Sequence, residues 1–90
     1  MALYRVTMET MDGRVLGTAS GDNWRELAQR LYARAYPSRT EALIKTESFE
    51  RAEPGTPAGR YVLRFGHTSD SGEAVLDPQE VVVIVEDIGP

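Results

Sequence analysis

Five consecutive apolar residues, Val81 to Val85 in the segment EVVVIVEDI, constrain this chain more than any other feature. Side chains of a strand alternate between its two faces, so an unbroken run is apolar on both. Such a strand belongs in the interior of a sheet with cover on each side. It is the longest apolar run in the sequence and falls well short of a membrane span. The rest of the chain must supply flanking strands and at least one covering layer.

The flanking strands are legible. Residues 2–11 alternate, with Tyr4, Val6 and Met8 on one face and Arg5, Thr7 and Glu9 on the other. Asp12-Gly13 is a strong hairpin signal for a two-residue turn. That turn sets Met8 against Gly17, Val6 against Ala19 and Thr10 against Val15, with Val15 on the face of Met8 and Leu16 on the opposite face. Small residues facing larger ones leave room for close packing. A third strand spans about 40–51, placing Leu43 and Phe49 on one face and Ala42 and Ile44 on the other. Residues 53–59, EPGTPAG, read as a loop. Residues 60–67 alternate cleanly, with Tyr61, Leu63 and Phe65 opposed to Arg60, Val62 and Arg64. After a second loop, TSDSGEA, the residues Asp77-Pro78-Gln79-Glu80 have the order of cap, first helical position and capping partner, which predicts one helical turn.

Between the second and third strands lies GDNWRELAQRLYARAYP. Asn23 suits an N-cap with Glu26 as its capping-box partner. Trp24, Leu27, Ala28, Leu31 and Ala35 form an apolar stripe at helical spacing, and Pro37 ends the helix. Arg25, Tyr32 and Tyr36 flank one side of the stripe; Arg30 and Arg34 flank the other.

The order ββαβββ predicts an α+β sandwich of two layers, one helix on a mostly antiparallel five-stranded sheet, in a single domain spanning 1–90. An N-terminal hairpin, a helix ending at a proline, further strands, a one-turn helix and a buried last strand together resemble the layout of the β-grasp, or ubiquitin-like, fold. A meander order of the same strands fits equally. The chain ends in IGP without a terminal diglycine, so the resemblance does not extend to conjugation.

Composition excludes more function classes than it suggests. The 90 residues carry a net charge of −4, which argues against a general nucleic-acid binder. The charge is uneven: residues 65–90 hold six acidic residues and none basic. Nine of the ten cations are arginine, the better interface cation, though a GC-rich genome would give the same bias. The absence of cysteine fits a reducing cytoplasm, and the N-terminal segment lacks the apolar run of a signal peptide. His67 is the only histidine, close to Ser69, Asp70 and Ser71, but groups within one polar loop rarely converge as a triad must. One histidine and no cysteine make a poor zinc set, and Asp70, Glu73 and Asp77 lack EF-hand spacing. No glycine-rich phosphate loop is present, so no cofactor and no small-molecule substrate are expected, and no enzyme.

One positive inference remains. A single helix covers one face of the sheet, while the central run is apolar on both. The uncovered face, with Leu16 and Val62 and a rim of Arg60 and Arg64, then binds a protein partner or a second copy of the chain, unless residues 51–59 or 68–79 fold across it. The Arg25, Tyr32, Tyr36 edge of the helix is the second candidate contact surface. The leading expectation is a non-enzymatic protein–protein interaction domain in the cytoplasm, with a homodimer through this face as one form of it. Alternatives are a phage- or mobile-element-encoded inhibitor of a host defence complex, in the manner of anti-CRISPR proteins, for which the acidic C-terminal segment would suit; an accessory subunit of a phage particle or other assembly; and a nucleic-acid-binding module using the helix arginines.

Overall fold

The computed structural model describes residues 2–51, 55–72 and 74–89, with the backbone alone at 46, 47 and 49–51. Strands β1 (Leu3–Glu9) and β2 (Val15–Gly21) are followed by helix α1 (Trp24–Ala35), a 3₁₀ turn at Pro37–Arg39, and strands β3 (Leu43–Arg51), β4 (Gly59–Thr68) and β5 (Val75–Gly89). The sheet runs β2-β1-β5-β4-β3 with every neighbouring pair antiparallel. The helix packs on one face, giving the α+β sandwich expected. The apolar run sits on β5, the middle strand, as its pattern requires.

The first hairpin reaches the expected register at Met8 and Val6 by an unexpected route, with Glu9 rather than Thr10 opposite Val15. The Thr10 N–H donates to the Arg14 carbonyl at 2.8 Å and the Gly13 N–H to the Thr10 carbonyl at 2.9 Å. Met11, Asp12 and Gly13 therefore form a three-residue loop, and only Gly13, at φ 94°, takes the left-handed conformation. A bulge follows: Glu9 faces Val15 while Met8 faces Gly17, so Leu16 is the extra residue. The longer turn and the bulge cancel, which preserves Met8 opposite Gly17 and Val6 opposite Ala19. They also exchange two faces. Val15, expected in the core, is 59% exposed, and Leu16, expected on the open face, packs against the core cluster.

Helix α1 begins where the sequence places it. Asn23 has extended backbone and its Oδ1 accepts from the Glu26 N–H at 3.3 Å. The Glu26 carboxylate pairs with Arg30 one turn on. A cap contributes about 1 kcal/mol and an exposed i,i+4 pair about 0.3–0.5. Each large apolar side chain of the stripe contributes about 1.5–3 kcal/mol on burial, so packing decides where the helix lies. The stripe is Trp24, Leu27, Ala28, Leu31 and Tyr32, not Ala35. The helix lies over β1 and β2, where a Cβ on Gly17 would stand 3.0 Å from Leu31 Cδ2. Its aromatics reach further. Trp24 tilts against Tyr61 at 4.2 Å and Tyr32 stacks on Phe65 at 4.0 Å, both partners on β4.

The helical turn expected at Asp77–Glu80 does not form. These residues belong to β5, with a bulge placing Asp77 and Pro78 opposite Gly66, between the pairs Phe65–Gln79 and His67–Leu76. Asp77 takes φ 49°, a left-handed position that Asp tolerates, and a proline fits a bulge because no ladder bond is asked of it there. The helical turn was part of the β-grasp layout, and that likeness ends here. Instead β3, β4 and β5 form a meander that closes against β1 of the hairpin.

Candidate functional site

Register places the outward residues of the face opposite the helix. They are Val15, Thr18 and Ser20 on β2, Leu3, Arg5, Thr7 and Glu9 on β1, Glu80, Val82, Ile84 and Glu86 on β5, and Arg60, Val62 and Arg64 on β4. Val82 lies between Glu9 and Val62, and Ile84 between Thr7 and Arg60. Flanked on both sides, Val82 is 4% exposed, while Val62 and Ile84 are half-buried. Arg64 pairs with Glu80 across the strands at 3.1 Å, and the pair separates this apolar centre from a second group at the far end of the face. That group is Leu43, opposite Gly66, and Val75, opposite Thr68. Phe49, expected beside Leu43, sits opposite Tyr61 on a helix-side register, and its side chain lies outside those described.

The loops do not close this face among the described residues. The Tyr61 hydroxyl, on the helix side, donates to the Pro57 carbonyl at 2.6 Å, which holds residues 55–58 toward the helix. Residues 69–72 turn tightly back toward Ala74: the Ser69 N–H donates to the Ala74 carbonyl at 2.9 Å and the Gly72 N–H to the Ser69 carbonyl at 2.8 Å. Residues 75–79 are strand.

Of the expected contact residues, the structure brings Arg60, Val62 and Arg64 together on one face and removes Leu16 from it. The three residues of the helix edge are split between core and surface. Tyr32 is fully buried, its hydroxyl donating to Gln79 Oε1 at 2.9 Å and accepting from Arg39 Nε at 2.6 Å. The Arg39 guanidinium also bonds the Asp77 carbonyl, tying the end of the helix to the β5 bulge. Tyr36 packs partly buried with its ring 5.0 Å from that of Tyr32, and Arg25 is exposed with its guanidinium 4.8 Å from the Trp24 ring centre. Arg30 is held by Glu26 and Arg39 by Tyr32, so the helix presents no gathered row of cations.

No family model matches the chain. No curated protein and no solved structure matches it either. The chemistry must therefore be read from the side chains alone. His67 is half-buried opposite Leu76, while the Ser69 hydroxyl accepts the Ala74 N–H at 3.1 Å and lies 3.2 Å from Ser71 Oγ. That hydroxyl is engaged in closing a turn. Among the described residues no three His, Asp or Glu side chains gather to hold a metal ion; Glu73 of the calcium set lies outside them. A shallow depression of about 160 Å³ at the start of α1, lined by Ser20, Asp22, Asn23, Glu26 and Arg30 among others, is smaller than ligand sites of roughly 300–1,000 Å³. No helix among the described residues is long and apolar enough to cross a membrane.

Val82 and Ile84 are the residues of the open face that the sequence reading left unnamed. The sequence alone does not select them: the bulge at Asp77-Pro78 shifts the pairing of β5 with β4 by one residue, and that shift turns Val82 and Ile84, rather than Val81, Val83 and Val85, to the outward positions.

Proposed function

We propose that this chain is a non-enzymatic protein-binding domain whose contact surface is the sheet face centred on Val62, Val82 and Ile84. One observation carries the reading. An antiparallel sheet with one face in water takes polar residues at the outward positions. Here the middle strand takes Val82 and Ile84 at those positions, and no described element covers them. The rim of Arg5, Arg60 and Arg64 interleaved with Glu9, Glu80 and Glu86 supplies charge for orientation around an apolar centre, the ordinary anatomy of an interface.

The test is site-specific photo-crosslinking in the native cell, with the reactive residue replacing Val62 or, as a control, Arg30 on the outer side of the helix. A discrete adduct from position 62 only is expected, and Ile84→Glu in the same chain should reduce it by roughly tenfold, the effect of truncating a central contact. Equal labelling from both positions, or none from position 62, would defeat the reading.

A further inference from the structure

We propose that two copies of this chain pair edge to edge through β2, antiparallel about a twofold axis near Thr18, to form a continuous ten-stranded sheet. The proposal stands independently of the reading of the open face.

Among the described residues the order β2-β1-β5-β4-β3 leaves two free edges, β2 and β3, each with a row of backbone groups that no neighbouring strand pairs. Proteins guard such edges with charge, lysine, proline or bulges. β3 is guarded: a bulge falls at Lys45, a charged residue on the edge itself. β2 reads VLGTASG, with no charge and no proline across its seven residues. Its one bulge is at Leu16, near its start, which leaves Gly17 to Gly21 in regular register with β1. Thr18 and Ser20 are exposed, and the small residues around them let a second backbone approach closely.

Charge selects the partner. β2 is bounded by Arg14 at one end and Asp22 at the other, both exposed. Antiparallel pairing centred on Thr18, counted past the Leu16 bulge, sets Arg14 of each copy opposite Gly21 of the other and one position from Asp22, at both ends of the contact. Parallel pairing would set arginine beside arginine. A twofold contact uses the same patch on both copies and must be complementary to itself, and this edge is. Thr18 then faces Thr18 of the second copy, a favourable cross-strand pair.

Sedimentation equilibrium of the full chain over a concentration series tests this. A monomer–dimer equilibrium is expected, weakening as salt is raised. Arg14→Asp alone and Asp22→Arg alone should each raise the dissociation constant several-fold, and the two together should restore it. Thr18→Lys, which sets two lysines against each other at the axis, should abolish the dimer while leaving the melting temperature of the dilute monomer unchanged. Val62→Glu should leave it intact. A chain that stays monomeric to about 1 mM, a double exchange that fails to restore pairing, or a dimer lost on Val62→Glu overturns the proposal; 1 mM is the ceiling because a weaker contact is worth less than about 4 kcal/mol.

Discussion

Replacing Tyr32 by phenylalanine separates two views of the helix. If Tyr32 were a contact residue on a helix edge, losing its hydroxyl would alter binding and leave the fold alone. In the structure the ring is fully buried and stacked on Phe65 at 4.0 Å and 5°, and Tyr32→Phe keeps that contact. What it removes is a donor to Gln79 Oε1 at 2.9 Å and an acceptor for Arg39 Nε at 2.6 Å. A neutral hydrogen bond contributes about 1 kcal/mol and one to a charged group about 1.5–3. Arg39 and Gln79 are only part-buried and can turn toward water, so the lower end applies, about 2 kcal/mol in all. For a domain of this size that lowers the melting temperature by about 8–16 °C. Urea or thermal unfolding followed by far-ultraviolet circular dichroism measures it. Arg39→Ala in the same cycle should show a coupling of about 1 kcal/mol with Tyr32→Phe. A loss below about 0.5 kcal/mol, the ordinary size of a surface change, would refute the network as the tie between helix and β5.

Two further outcomes follow from local geometry. Gly17→Ala sets a methyl 3.0 Å from Leu31 Cδ2 in the packed layer and should cost about 1–3 kcal/mol by urea unfolding, more than the same change at exposed Gly13 costs through packing. Asp12 is held below the usual carboxylate range, first by the Thr10 hydroxyl that bonds it and then by its own amide and Arg14. A depressed folded value means that the hairpin's stabilisation is present above the unfolded carboxylate value and is lost as the pH falls through the folded one. A carboxyl titration by NMR should move Asp12 up toward the ordinary range in Thr10→Val, where the largest cause is gone and the amide and Arg14 remain.

The elements were legible because their signals are local. Asn23 as cap, Pro37 as stop, Gly13 in the turn and the alternation of β4 each act within a few residues. The misreadings share another cause, that the same residues serve two local structures and a distant partner decides. Asp77-Pro78 opens a helical turn as well as it fills a bulge; pairing with β4 across Gly66 selects the bulge. A two-residue turn and a three-residue turn followed by a bulge give the same pairing at Met8, but they place Val15 and Leu16 on opposite faces. Tyr32 looked like a surface residue for its arginine neighbours, although it continues the spacing of Trp24 and Ala28 by one more turn. Sheet order was not legible, because it depends on contacts between β1 and β5 at opposite ends of the chain.

The two proposed surfaces combine geometrically. A twofold axis normal to the sheet at β2 puts both helices on one side and both open faces on the other. From β5 of one copy to β5 of the next there are five strand spacings of about 4.8 Å, so the two Ile84 side chains, level with Thr18, would stand about 24 Å apart on a continuous surface. A partner carrying two matching sites at that separation gains by effective concentration, whereas one with a single site gains nothing. Thr18→Lys should therefore leave the affinity for a single-site fragment of the partner unchanged while weakening the intact two-site partner by about a hundredfold or more. Equal weakening of both would mean that Thr18 lies within the binding face, and that edge and face are one surface.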